Sequence, residues 1–134
     1  MIERVNTNAA PLVGFSTGTA APLSQAIVVG DLIYCSGTGP LDPATRTVVS
    51  DDFVEQVGQT LSNMLRTVEA AGGNINSIVK CNVFLSDVHN FQDFNAAYRA
   101  FFAEADDFPA RTTVGAVLHR DRVQVEIDCV ATKA

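Results

Sequence analysis

The sequence predicts an α+β fold, in which two helices pack on one face of a mixed β-sheet. Two segments carry apolar residues at helical intervals of three and four, and short runs rich in Val and Ile lie before, between and after them. The chain has 134 residues, 47% of them hydrophobic, and no internal repeat. This is enough apolar material for one core, so we expect a single domain over residues 1–134.

Charge and composition argue against several classes of function. The net charge is −6 and the nine Lys and Arg residues are scattered, so no nucleic acid is expected as a partner. The N-terminus lacks a secretory pattern, and no apolar run approaches the ~20 residues that span a bilayer, which predicts a soluble, cytoplasmic protein with no membrane partner. Cys35, Cys81 and Cys129 lie far apart in apolar segments, which predicts buried free thiols and no metal site.

The first third of the chain is expected to hold an irregular arm and a hairpin. The arm covers about residues 1–22, because 6–22 are rich in Ala, Thr, Gly, Asn and Pro. Two β-rich runs, Gln25 to Val29 and Leu32 to Cys35, are separated by Gly30-Asp31, a typical hairpin turn. The run from Ser36 to Pro40 then breaks the strand, and its glycines either let backbone amides approach a ligand or form a plain loop.

Two helices and one strand are predicted in the middle of the chain. Ser50-Asp51-Asp52 supplies the N-terminal cap of the first helix, and Gly72-Gly73 ends it. The strand covers Ile78 to Leu85, and Asn90 with Asp93 caps the second helix. Apolar positions of the first helix are Phe53, Val57, Leu61, Met64, Leu65 and Val68. Those facing inward from the strand are Val79, Cys81, Val83 and Leu85. The second helix carries an aromatic core stripe of Phe91, Phe94, Tyr98, Phe101 and Phe102.

The last two β segments place one arginine and one glutamate among apolar residues. If 111–118 and 123–130 form an antiparallel hairpin around 119–122, Arg111 and Glu126 share one face, with Cα atoms roughly 13 Å apart. They could then bracket a small molecule, the guanidinium binding a carboxylate and Glu126 orienting a water. The alternative is an ordinary ion pair of Arg111 with Asp128 on a solvated or subunit-covered face. The face opposite Arg111 reads as core: Thr112, Val114, Ala116, Leu118, Val123, Val125, Ile127 and Cys129.

Several segments, taken in order, resemble the RidA family, also called YjgF/YER057c/UK114. They are Ala21-Pro22-Leu23-Ser24-Gln25-Ala26, Val29 to Gly37, Asn95 to Phe102, Phe108-Pro109-Ala110-Arg111-Thr112 and Val125-Glu126-Ile127. The resemblance covers roughly residues 20–133. It implies a chorismate-mutase-like α+β domain that forms a homotrimer with active sites in the clefts between subunits.

The resemblance also implies an activity, which is the hydrolysis of reactive enamines and imines such as 2-aminoacrylate and 2-iminobutanoate to 2-keto acids and ammonia. No cofactor is implied, and the partner is a small carboxylate-bearing substrate. The family's carboxylate-binding arginine matches Arg111, and its water-positioning glutamate matches Glu126. Its further substrate-binding positions match Ser36, Gly37, Asn95 and Thr113, the last through a backbone N–H.

One departure from the family concerns the substrate. A tyrosine of the family is Leu23 here, and Thr38 stands where a glutamine is common. The segment from Ser16 to Ala20 is longer than usual and could supply a hydroxyl in place of the phenol. Two alternatives therefore stay open, a deaminase of another imine such as an aminomuconate and a non-catalytic sensor of small carboxylates. Ribonuclease activity is not expected, because the chain is acidic and His89 and His119 lie in separate loops as plain surface residues.

Overall fold

A computed structural model describes residues 1–12 and 21–134. The described residues form one six-stranded mixed sheet and two α-helices, which confirms the α+β prediction. Short 3-10 turns occupy Ile75–Ser77, Val88–Asn90 and Phe102–Glu104. In chain order the main elements are β1 (Ile2–Val5), β2 (Ala26–Val29), β3 (Leu32–Thr38), α1 (Phe53–Ala70), β4 (Ile78–Leu85), α2 (Phe91–Phe101), β5 (Ala110–Gly115) and β6 (Val125–Thr132).

The sheet order is β1-β2-β3-β6-β4-β5, and only β4 and β5 run parallel. The predicted hairpin of residues 111–118 with 123–130 is therefore wrong, since β4 lies between the two strands. The connecting segment crosses the end of β4, where Ala116 N donates to the Leu85 carbonyl and Ser86 N donates to the Gln124 carbonyl. Strand β6 buries every second side chain between two partners, whereas β5 is mostly exposed and forms the edge.

The strand register also corrects the predicted faces. Arg111 pairs with Cys81, which is buried beneath the helices, so Arg111 lies on the helix-covered face. Glu126 pairs with Phe84 and lies on the opposite face. Core assignments hold for Val125, Ile127 and Cys129 but fail for Thr112 and Val114, which are exposed.

Most predicted boundaries hold, and the differences have local causes. The Gly30-Asp31 turn is confirmed, with Gly30 at φ 59°, and α1 is capped by the Asp52 carboxylate and ends before Gly72. The expected break after Cys35 is wrong, because β3 continues to Thr38 through a bulge. A second bulge, between Ile78 and Lys80, turns Val79 to solvent instead of inward.

Two further expectations about element ends are corrected. The arm is not irregular throughout, because Ile2–Val5 pair with β2 as an antiparallel strand. Asn90 precedes α2 but makes no capping hydrogen bond, and Asp87 instead caps the preceding 3-10 turn. The Asp87 carboxylate accepts from His89 N, which lowers the pKa of that carboxyl below its usual value.

The core lies between the sheet and the two helices. The buried apolar residues of the two helices are all among the predicted ones, although Phe91 is exposed at the end of its stripe and α1 also buries four polar residues, Gln56, Thr60, Asn63 and Thr67. The predicted free cysteines are confirmed, and Cys35, Cys129 and Cys81 lie side by side on β3, β6 and β4. Burial raises the pKa of Cys81 to about 11, and a hydrogen bond with Cys35 together with burial raises the pKa of Cys129.

Among the described residues, neither helix combines the length and apolar character that crossing a bilayer requires.

Candidate active site

A cavity of about 910 Å³ opens beside the β3 bulge and the start of β6. It contains three of the predicted substrate-binding residues, Leu23, Ser36 and Gly37, together with Glu126. Leu23, which replaces the tyrosine of the family, is half-buried and contributes an apolar side chain to the cavity. The segment from Ser16 to Ala20, expected to supply a hydroxyl, lies outside the described residues.

The Glu126 carboxylate lies directly against the backbone of Gly37. A Cβ atom at residue 37 would lie 2.7 Å from Glu126 Oε2 and 3.1 Å from its Cδ. Any side chain at residue 37 would therefore push the carboxylate away. The bulge of β3 and the glycine together set the position of Glu126 in the cavity.

Ser36 and Gln25 fix the wall of this cavity. The Ser36 hydroxyl donates to the Ser24 carbonyl at 2.6 Å, so this serine positions the adjoining segment. The buried Gln25 amide accepts from Thr7 N and donates to the Pro11 carbonyl at 2.9 Å. The sequence gives one signal for this role, which is a glutamine immediately before an apolar β-strand, in the Ser24-Gln25-Ala26 run.

A second cavity, of about 280 Å³, contains two of the three remaining predicted residues, Asn95 and Arg111. The Arg111 guanidinium donates to Asn95 Oδ1 at 2.7 Å. Its Cζ lies 4.9 Å from the Tyr98 ring centre, with Phe94 at 5.3 Å and Phe91 at 5.7 Å. These cation–π contacts hold the cation in place, so part of the aromatic stripe also supports a polar site.

The alternative ion pair of Arg111 with Asp128 is wrong. Asp128 lies on β6 with Glu126, on the opposite face of the sheet, and accepts a hydrogen bond from the Asn82 amide at 2.8 Å. Within residues 1–12 and 21–134, Arg111 makes no ion pair. Its remaining N–H donors can therefore bind a carboxylate.

Arg111 and Glu126 do not come together within one chain. Two strand spacings and three residues of register separate their Cα atoms, which is roughly 14 Å, and the sheet lies between the side chains. The prediction that they bracket a small molecule from the same face is therefore wrong for a single chain. Each lines a cavity of its own.

Thr113 lies two residues after Arg111 and is outside both cavities. Its hydroxyl is buried and has no hydrogen-bond partner among the described residues. The large cavity also contains Arg46, His119 and Arg120, which were not among the predicted site residues. His119 is exposed, as predicted for a surface residue, and it also lines this cavity. The common signal of these three residues is a position in loops that adjoin the ends of β3 and β6.

An α+β domain with an arginine held by an asparagine, and a carboxylate placed over a glycine in an open cavity, is suited to small polar ligands. The sequence model of the family described as endoribonuclease L-PSP matches residues 15–133. The chain belongs to this family, the RidA (YjgF) family.

Known relatives agree with this assignment. A RutC family protein, y4sK of Sinorhizobium fredii, is 40% identical over 130 residues, which are 97% of each chain. The 2-iminobutanoate/2-iminopropanoate deaminase of Salmonella typhimurium is 38% identical over 113 residues, 84% of this chain and 88% of the relative. The crystal structure of Escherichia coli TdcF with bound serine covers 98% of this chain and 99% of its own, with a TM-score of 0.87 and 28% identity.

Proposed function

We propose that the protein hydrolyses reactive enamines and imines of 2-amino acids, such as 2-aminoacrylate and 2-iminobutanoate or 2-iminopropanoate, to 2-keto acids and ammonia. Family membership and the named deaminase relative support this proposal. The observation that carries it is the Glu126 carboxylate, held against Gly37 in an open cavity. A fixed carboxylate in reach of water is what hydrolytic addition to an imine requires.

Arg111 is the proposed clamp for the substrate carboxylate. Asn95 and three aromatic rings fix the guanidinium, which leaves donors for a bidentate contact. The serine bound in the TdcF structure carries the same carboxylate group and supports a ligand of this type.

The active site needs a second copy of the chain. Arg111 and Glu126 lie on opposite faces of one sheet, so an arginine site from one subunit must meet the glutamate cavity of a neighbour. The homotrimer that the resemblance implies would supply this arrangement, with each cleft using both surfaces of the chain. We also propose that residues 1–134 of each chain form a single domain.

The reaction then proceeds as follows. An enamine first takes a proton at carbon to become the imine, whose carboxylate binds Arg111. Glu126 accepts a proton from water as the water oxygen adds to the C=N carbon, and the imine nitrogen takes up one proton from solvent. Glu126 then returns its proton to the amine of the carbinolamine, the C–N bond breaks and ammonia leaves, and the hydroxyl releases its proton to solvent as it becomes the keto oxygen. The Thr113 backbone N–H is proposed to bind the substrate carboxylate, and Ser36 to fix the wall beside Gly37.

Binding without catalysis is the second candidate function. It is favoured by Leu23, since the family's phenol is missing from the cavity wall. A different imine, such as an aminomuconate, is the corresponding alternative within catalysis. Ribonuclease activity is not proposed, because the net charge of −6 opposes binding of a phosphate backbone.

The test is the decay of 2-iminobutanoate and 2-iminopropanoate generated by an amino-acid oxidase and trapped with semicarbazide. The protein should accelerate decay, and Arg111→Ala and Glu126→Gln should abolish the acceleration. The matched control for Glu126→Gln is Asp128→Asn, which removes a carboxylate from the same face of β6 without touching the cavity. Unchanged decay with wild-type protein, or full activity of Glu126→Gln, would sink the proposal.

A further inference from the structure

One end of the large cavity carries two arginines that the proposed reaction does not use. Arg46, in the loop after β3, and Arg120, in the loop before β6, line the same cavity as Glu126. We call these two residues the arginine wall. The chain has nine Lys and Arg residues and a net charge of −6, so two cations at one cavity are a marked local excess.

The arginine wall is held in place by the rest of the fold. The Arg120 guanidinium donates to the Arg46 carbonyl at 2.8 Å, which joins the two loops. Arg46 has φ 60°, a left-handed conformation that an arginine keeps only where its surroundings impose it. The carboxylate of Asp42 accepts from Ala44 N and Thr45 N and fixes the turn before Arg46.

Two buried amides of α1 fasten the same loops. Asn63 donates to the carbonyls of Gly39 and Leu41, at 3.0 and 2.9 Å. Gln56 donates to the carbonyls of Ser50 and Arg122, at 2.8 and 2.9 Å. Both side chains are fully or almost fully buried. The backbone of each loop that carries an arginine is therefore attached to the core, which keeps both loops at the cavity.

The arginine wall has charge available for a ligand. Neither arginine forms an ion pair with any carboxylate in residues 1–12 and 21–134, and residues 13–20 include no Asp or Glu. The nearby carboxylate of Asp42 is engaged with backbone N–H groups, and that of Asp51 is paired with Arg122. Both cations can therefore bind an anionic ligand group.

The cavity between the arginine wall and Glu126 is partly apolar and large. Leu23, Leu41, Leu118 and Val123 line it. In one chain the cavity measures about 910 Å³, which is in the size range of sites for drug-like ligands, before the neighbouring chain of the proposed site closes over it. The alkyl side chain of a longer imino acid can lie along these apolar residues between the reacting carbon and the arginine wall.

We infer that the arginine wall binds a second carboxylate, and that the preferred substrates are imines of dicarboxylic amino acids. This inference rests on the proposed hydrolysis of imines in the same cavity. Arg111 holds the carboxylate next to the reacting carbon, and the arginine wall holds the one at the far end of the side chain.

The test compares two imines with the same number of carbons. 2-Iminoglutarate is generated from glutamate and 2-iminopentanoate from norvaline by the corresponding oxidases, and decay is followed with semicarbazide. The ratio of the two kcat/KM values should favour 2-iminoglutarate by about tenfold or more, as expected for charge-assisted hydrogen bonds. Arg46→Asn with Arg120→Gln should lower this ratio by about tenfold, and asparagine is chosen because it tolerates the left-handed conformation.

Arg66→Gln is the matched control, since it removes one positive charge from the exposed surface of α1, away from the cavity. It should leave the ratio unchanged. A binding measurement by calorimetry, with 2-oxoglutarate against 2-oxopentanoate, gives a readout that does not depend on hydrolysis.

The outcomes separate this inference from the proposed function. Hydrolysis of both imines at similar rates, with equal binding of the two keto acids, would overturn the inference and keep the proposed function. If no imine is hydrolysed but 2-oxoglutarate binds more tightly through Arg46 and Arg120, the inference about the second carboxylate stands and the hydrolysis proposal fails. Absence of both effects would overturn both.

Discussion

Glu126 and Gly37 are in direct contact, with the carboxylate of one lying over the backbone of the other. The space that a Cβ atom would need at residue 37 is occupied, since Glu126 Oε2 would lie 2.7 Å away. This contact joins a bulged strand, β3, to the central strand β6, although the two residues are far apart in the sequence. The position of the proposed base therefore depends on the absence of a side chain on the neighbouring strand.

Gly37→Ala should displace the Glu126 carboxylate without removing it. We expect kcat/KM for imine hydrolysis to fall by about a hundredfold, because small displacements of a catalytic group have effects of this size. The assay is semicarbazide trapping of 2-iminobutanoate. Gly58→Ala is the matched control, since a Cβ there meets nothing within 4 Å; it should keep full activity and raise stability by up to about 1 kcal/mol as a helix-interior glycine replacement. Wild-type rates for Gly37→Ala would contradict the proposed role of this contact.

Complementation between inactive variants should reveal a site shared by two subunits. Arg111→Ala and Glu126→Gln are each expected to be inactive, but mixed oligomers contain some clefts with both native residues. In a cyclic oligomer reassembled from equal amounts, roughly a quarter of the clefts are intact. We therefore expect about that fraction of wild-type activity after joint refolding.

The control is the same mixture without denaturation and refolding, which tests whether subunits exchange. Zero activity after refolding, in a preparation that native mass spectrometry shows to be mixed, would mean that both residues act from one chain. That result would contradict the composite site.

Asn63→Ala should destabilise the loop that contains Arg46. The buried amide satisfies the carbonyls of Gly39 and Leu41, and its loss leaves both without a partner. We expect the free energy of unfolding to fall by about 2 kcal/mol or more. Urea unfolding measures this change. Arg66→Ala, one turn further along α1, removes only an exposed ion pair and should cost about 0.5 kcal/mol or less. Equal effects of the two variants would contradict the anchoring role of Asn63.

Stability should decrease on the alkaline side because of the buried thiols. Burial raises the pKa of Cys81 from its ordinary 9.0 to about 11. Between pH 9.0 and about pH 11, the Cys81 thiol has lost its proton in the unfolded chain but keeps it in the folded chain. The folded state is thus disfavoured as the pH rises through this range, and the contribution is fully present only below about pH 9.

The measurement is the urea midpoint at pH 8 and at about pH 10. Wild-type protein should lose stability between the two, and Cys81→Ala should lose less, even though its stability at pH 8 is lower. Cys81 is fully buried, so alanine leaves a small cavity and lowers the stability. An identical alkaline loss in both proteins would show that Cys81 does not contribute.

Local patterns predicted the elements well because their causes are local. The alternation from Ile78 to Leu85 gave the bounds of β4, and Asp52 before an apolar helical repeat gave the start of α1. The Gly30 turn marked the first hairpin, because its left-handed φ suits glycine. The errors at Val79 and Thr38 come from bulges, in which one extra residue reverses the side-chain alternation.

The pairing of β5 could not be predicted in the same way. Adjacent strands in the sequence usually pair, and 111–118 with 123–130 fits a hairpin in period and turn length. The register of β5 is instead set by a parallel pairing with β4 through the intervening α2, which depends on packing of the whole domain.

For the candidate site, too, some features follow from the local sequence and others only from the tertiary structure. Residue types and their order in the sequence determined the fold class and the family resemblance, which in turn pointed to Arg111, Asn95, Gly37 and Glu126 as candidate residues. Tertiary structure alone decided that Arg111 and Glu126 lie on opposite faces of the sheet, and that Arg46 and Arg120 share a cavity with Glu126. Strand order and loop anchoring arise from contacts between distant parts of the chain, and the free energy of those contacts is not encoded in any single segment.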